Sequence, residues 1–165
     1  MTGALLALVL AGSSLAPGSP FRFEEFTVGV EAVPAPAQPI LSSRRARRYR
    51  AILRRAAAQT EAPDFAGHYK VVIWGCGTCC AEFAILDLKS GEAWFPPFFN
   101  ACGYPPGSEV PDRALLYRAD SRLFVAIGAN NEGPWGIHYY RWNGLRLQPL
   151  KAERPPEITG RPTTR

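Results

Sequence analysis

Residues 137–150 read IHYYRWNGLRLQPL, two runs of apolar and polar residues on either side of Asn143-Gly144. Asn-Gly between alternating segments is the strongest short-range sign of a β-hairpin, because both residues tolerate the positive φ that a tight turn needs. Working outward, residues 114–117 and 123–127 form a second pair around Ala119-Asp120-Ser121, and residues 83–88 (FAILDL) a third with residues 92–95, closed by Lys89-Ser90-Gly91. Residues 67–74 (GHYKVVIW) make a further strand candidate. Residues 83–88 are apolar on both faces, as expected of a central strand covered by another layer. Successive hairpins with no intervening helix predict an antiparallel meander rather than a parallel βαβ sheet.

One helix precedes these strands. Ser42 or Ser43 can cap residues 44–60, in which Ala46, Tyr49, Leu53 and Ala56, with Ile52 beside them, form one apolar stripe. Pro63 closes the segment. Further upstream, Phe26, Val28 and Val30 alternate with polar or small residues and predict a strand, and Pro34, Pro36 and Pro39 make a semi-extended connector. The fold class expected is therefore α+β, a β-meander with one amphipathic N-terminal helix, stabilised by disulfides. The divisions are a signal peptide at 1–16, a strand and connector at 17–41, one domain at 42–151 and a disordered tail at 152–165.

The signal peptide rests on residues 1–20, which carry no charged side chain, on the apolar run ALLALVLA at 4–11, and on the small-x-small site Ser14-Leu15-Ala16. No apolar run approaches the roughly 20 residues that span a bilayer as a helix, so no transmembrane anchor is expected. A chain of 165 residues, 47% hydrophobic and 20% charged, is of ordinary globular composition and excludes wholesale disorder. Export to the periplasm or beyond would place the four cysteines, Cys76, Cys79, Cys80 and Cys102, in an oxidising compartment. Adjacent Cys79 and Cys80 are poor partners for each other, leaving Cys76 with one and Cys102 with the other, in either version. Either version pins a tight turn and closes a loop of roughly 22 to 26 residues, worth about 3 kcal/mol.

Cys76-Gly77-Thr78-Cys79 also has the spacing of a thiol-disulfide oxidoreductase, the alternative function. Activation of the first thiol would require a helix N-terminus there, and the hairpin signal at 87–91 leaves no room for one. Zinc knuckle spacing is present once, without a second pair, and no metal or cofactor is expected.

The run Asp64-Phe65-Ala66-Gly67-His68-Tyr69-Lys70, followed by Trp74-Gly75-Cys76-Gly77-Thr78 and Cys80, then by residues 84–91 (AILDLKSG), resembles a family of small exported bacterial proteins. Those carry an (N/D)FAGHY segment, then WGCGTxC leading into an A-I-x-D strand and a glycine hairpin. The resemblance implies export and a shared fold but carries no activity. It would pair Cys76 with Cys80, with Cys79 at the family's variable position.

Charge is concentrated in one element. Seven of the chain's basic residues lie between Arg44 and Arg55, with no acid from Ala32 to Thr60, against a whole-chain charge of +5. On a helical wheel Arg44, Arg47, Arg48, Arg50, Arg54 and Arg55 lie opposite the apolar stripe, and Arg45 does not. Cations in the first turn oppose the helix dipole, which hints at use by an anionic partner: an envelope protein, polysaccharide or lipid surface. Nucleic acid is not expected, since Tyr49 is the only aromatic residue in the segment. For ligand recognition, the loop at 128–136 offers Asn130, Asn131, Glu132 and Trp135, and the aromatic Pro-rich loop at 95–104 offers Phe98 and Tyr104 as a second wall. No nucleophile with a partnering base can be picked, so catalytic residues are not assigned. The expected function is that of an exported binding or interaction protein.

Overall fold

The computed structural model describes residues 15, 18–77, 80–97, 101–102, 115–129 and 133–154. Two helical segments come first, α1 (Arg44–Arg48) and α2 (Arg50–Gln59). The strands β1 (Tyr69–Gly77), β2 (Cys80–Asp87), β3 (Ala93–Trp94), β4 (Ala101–Cys102), β5 (Leu115–Tyr117), β6 (Leu123–Ala129), β7 (Trp135–Trp142) and β8 (Leu147–Glu153) follow. All neighbouring pairs are antiparallel, in the order β1-β2-β4-β6-β7-β8, with β3 on β2 and β5 on β6.

The hairpins stand, but the sheet is not a simple meander. The two-residue strand β4 joins one half, β1 to β3, to the other, β5 to β8, and among the described residues Cys102, opposite Ala129, is its single partner residue for β6. In a flat sheet this register would set Phe83 and Phe124 eight residues apart along the strands, roughly 27 Å at about 3.4 Å per residue. Their rings instead stack with centroids 4.9 Å apart. The sheet therefore folds over at β4, and its two halves face each other.

Period-two alternation then builds three apolar layers. Phe83 and Ile85 of β2, Phe124 and Ala126 of β6, Leu115 of β5, Trp142 of β7 and Phe65 fill the space between the halves. The opposite side of β2, Ala84 and Leu86, packs with Leu88 and Val72 against Ala46, Leu53 and Ala57 of the helices. On the far side of the second half, Leu123, Val125, Ile127, Leu116 and Tyr139 are covered by Phe21, Phe23 and Phe26. Residues 83–88 are thus a strand with a layer on each face, one of them helical as expected.

Three expectations need correction. Residues 23–26 form a 3-10 turn, not a strand, and Thr27 makes an isolated bridge to Ser121. The alternation there reflects an extended arm whose aromatics cover the second half-sheet. It is pinned by Ser121 Oγ donating to the Phe23 carbonyl, by Arg122 N–H donating to Phe26 and by Val28 N–H donating to Asp120. The single helix is broken at Tyr49 (φ −99°, ψ 18°), which lets its ring turn onto the sheet. Ser43 is the cap, its hydroxyl accepting from Ala46 N–H at 3.0 Å. Finally, β8 runs to Glu153, paired with Ile137, so residues 152 and 153 belong to the sheet rather than to a tail.

The two glycine turns differ in detail. Gly91 (φ +81°) closes β2–β3 while Asp87 Oδ1 accepts from Lys89 and Ser90 N–H at 2.8 and 3.2 Å. In the last hairpin Trp142 pairs with Leu147, so the turn spans residues 143–146. Asn143 Oδ1 there accepts from the N–H groups of Leu145 and Arg146.

Candidate functional site

The residues of the Asp64–Lys70 run build a turn. Ala66 and Gly67 both have positive φ, 44° and 96°, and a side chain on Gly67 would meet the Gly29 carbonyl at 2.9 Å. Asp64 accepts from Val71 N–H at 2.9 Å and pairs with Lys70 at 2.7 Å, while Phe65 enters the central layer. Burial nonetheless raises the Asp64 carboxyl above its ordinary range, the Lys70 hydrogen bond pulling the other way. His68 stacks on Tyr69 and lies 3.3 Å from Glu31 and 3.6 Å from Asp87, held as a structural residue between two carboxylates.

Trp74, which opens the cysteine motif, anchors the helices. Its ring packs 4.4 Å from that of Tyr49, and the Trp74 Nε1–H and the Tyr49 hydroxyl both donate to one Glu82 oxygen. Arg45 completes the cluster, donating to the Pro96 carbonyl at 2.7 Å and lying 3.8 Å from Glu82 and over the Phe95 ring. This arginine, placed off the cationic face by the helical wheel, therefore has an internal use. Cys76 lies within β1, not at a helix N-terminus. The backbone register sets Cys80 opposite Cys102; Cys79 lies outside the described residues.

Of the expected recognition residues, Asn130, Asn131, Glu132, Phe98 and Tyr104 also lie outside the described residues, and Trp135 is placed as the first residue of β7, across from Ala129. The six other arginines, Arg44, Arg47, Arg48, Arg50, Arg54 and Arg55, are all exposed. None has a carboxylate partner among the described residues, whereas Arg45, Lys70, Lys89, Arg118 and Lys151 do. Arg47 and Arg50 instead reach nearby carbonyls, and Arg48 lies over the Tyr49 ring. The result is a run of exposed guanidinium groups along α1 and α2.

A second site was not read from the sequence. A cleft of about 210 Å³ opens between the start of α1, the β2–β3 hairpin and the β7–β8 turn. Tyr69, Trp94 and Trp142 line it, with Ser42, Ser43, Asp87 and Glu92 as its polar groups and Ile40 and Leu145 as exposed apolar ones. The rings of Trp94 and Trp142 pack edge to face with centroids 5.5 Å apart. Burial pushes the Tyr69 phenol up, and the nearby Trp142 indole pulls the other way. The two do not meet in hydrogen-bond geometry, and the buried Trp142 Nε1 has no partner. The signal available in the sequence was a tryptophan at the mouth of each of two glycine turns, Trp94 and Trp142, which topology brings together.

No helix among the described residues is long and apolar enough to cross a membrane, and no group of three or more His, Cys, Asp or Glu side chains among them could hold a metal ion. No family model, curated protein or solved structure matches the chain.

Proposed function

We propose that this is an exported binding protein of the bacterial envelope, held on an anionic lipid surface by the outer face of α1 and α2. The observation that carries the reading is the set of six exposed arginines without a carboxylate partner among the described residues, beside a seventh, Arg45, that has one. A guanidinium pairs with phosphate oxygens in a bidentate fork, and each basic residue near an anionic membrane contributes about 1 kcal/mol. None of the large exposed apolar residues, Val30, Ile40, Ile73, Leu145 and Leu150, lies on α1 or α2, so the contact is electrostatic and peripheral.

Export and disulfide stapling belong to the same reading. It is supported by the Cys80–Cys102 backbone register and by the likeness of the Asp64–Gly91 segment to small exported proteins. Flotation of the purified protein with phosphatidylglycerol vesicles and with phosphatidylcholine vesicles tests the surface. Binding to the first and not the second is expected; equal binding to both would remove the electrostatic basis.

A further inference from the structure

We propose that the open end of β1, Ile73 to Gly75, is a self-pairing edge through which two copies of this chain form a two-fold antiparallel dimer. β1 stands at one end of the sheet order and β8 at the other. An uncovered strand edge invites pairing with another chain, and proteins guard against it with proline, lysine, bulges or covering chain. β8 carries such guards: Pro149, Lys151 and the irregular register beside Tyr139 and Tyr140. The first half of β1 is covered by the turn that precedes it. Tyr69 N–H donates to the Phe65 carbonyl, the Tyr69 carbonyl accepts from Asp64 and Phe65 N–H, and Val71 N–H donates to Asp64 Oδ1.

Beyond Val71 this cover stops. In an antiparallel strand both backbone groups of alternate residues point to the same edge, so Ile73 and Gly75 face outward with Tyr69 and Val71. Neither has a hydrogen-bond partner on that edge among the described residues. Ile73 is 46% exposed although it lies within a strand, and no charged residue or proline occurs from Val71 to Ala81. Trp74, between the two open residues, is tied instead to Glu82 of β2.

A second copy fits this edge in one register. With the two-fold axis at Trp74, Ile73 of each copy lies opposite Gly75 of the other, and all their outward N–H and C=O groups pair. Each isoleucine then lies beside a glycine, which has no side chain to obstruct it. An axis at Ile73 would call on Val71 N–H, which Asp64 already holds, and an axis at Gly75 would call on Gly77, at the bulge with φ +139°. The uncharged run meets itself without like-charge contact, in a chain whose net charge is +5. Pairing leaves the guarded β8 edges free, so assembly closes at the dimer. So short a pairing covers less than the roughly 1,200 Å² of a stable interface, and the dimer is weak. The inference does not depend on the membrane-surface reading.

The test is sedimentation equilibrium of the full chain from about 10 µM to about 1 mM, in about 0.15 M salt, with amide exchange read by NMR. A monomer is expected at the lower limit and a substantial dimer, with no larger species, at the upper. Exchange at Ile73 and Gly75 should slow as the concentration rises. Ile73→Lys, which places a guard on the edge, should abolish the dimer with an unchanged circular dichroism spectrum. Val30→Lys, at a similarly exposed position on the N-terminal arm, adds the same charge and should retain it. A monomer at every concentration would overturn the proposal. So would a dimer that survives Ile73→Lys, one lost equally in Val30→Lys, or growth beyond the dimer. None of these outcomes bears on the arginine face, whose vesicle binding is measured independently.

Discussion

Phe83 on β2 and Phe124 on β6 stack at 4.9 Å with an interplanar angle of 24°, although the strand register alone would hold them far apart. This contact closes the folded sheet, and both rings are fully buried. Truncating either removes apolar area and opens a cavity at the seam. Phe124→Ala should therefore destabilise the protein by about 3–5 kcal/mol, read as a fall in the midpoint of urea denaturation. A conservative Phe124→Leu should recover most of that loss.

Gly91 ties the first hairpin to the Pro-rich connector. It has φ +81°, its carbonyl accepts from Ile40 N–H at 2.8 Å, and an added Cβ would lie 2.2 Å from the Gln38 carbonyl. Gly91→Ala should cost about 2 kcal/mol or more, because backbone strain and steric overlap act together. Gly29→Ala, where an added Cβ meets nothing within 4 Å, is the matched control and should change the denaturation midpoint little.

The N-terminal arm depends on Arg118, which pairs with Glu24 of the arm and with Asp120 of the turn before β6. Its hydrogen bond holds the Asp120 carboxyl below the ordinary carboxylate range. Arg118→Met should free the arm before the sheet unfolds. Amide exchange at Val28 and Arg122, whose N–H groups bridge arm and turn, should rise ahead of exchange in β6.

His138 sets an acid limit on stability. It is half-buried in β7, and burial depresses its pKa below the ordinary value of 6.5. The folded protein therefore holds the imidazole neutral at a pH where the unfolded chain takes up a proton. Its contribution is complete above about pH 6.5 and is lost as the pH falls toward the depressed value. Urea midpoints measured at pH 7.5 and pH 5.5 should show the wild type losing more stability than His138→Gln across that interval.

How far the sequence foretold this structure varied by element. The strands were legible because alternation and glycine turns are local: residues 83–88 and 137–142 lie within β2 and its turn and within β7. The capping by Ser43 and the exclusion of Arg45 from the cationic face were equally local. What escaped were consequences of long-range packing. Phe26 and Val28 carry a strand-like pattern, but among the described residues the arm has no neighbouring strand beyond the single Thr27–Ser121 bridge, so its aromatics act as a cover. At the helix break Tyr49 packs on Trp74 and donates to Glu82, contacts that no helical wheel contains. The cleft unites residues from 40 to 145 and forms only when the sheet folds over at β4. The loops chosen for recognition fall chiefly on residues the structure does not describe.

The most direct test of the membrane-surface account is the partition constant on phosphatidylglycerol vesicles, measured against salt for the wild type and for Arg47→Gln/Arg48→Gln/Arg54→Gln. All three positions are exposed, so the variant should keep its fold. At about 1 kcal/mol for each basic residue, the triple change should weaken binding about a hundredfold at low salt and flatten the salt dependence. Wild-type binding should fall steeply as the salt rises. Binding that ignores salt, or that survives loss of the three charges, would contradict the account.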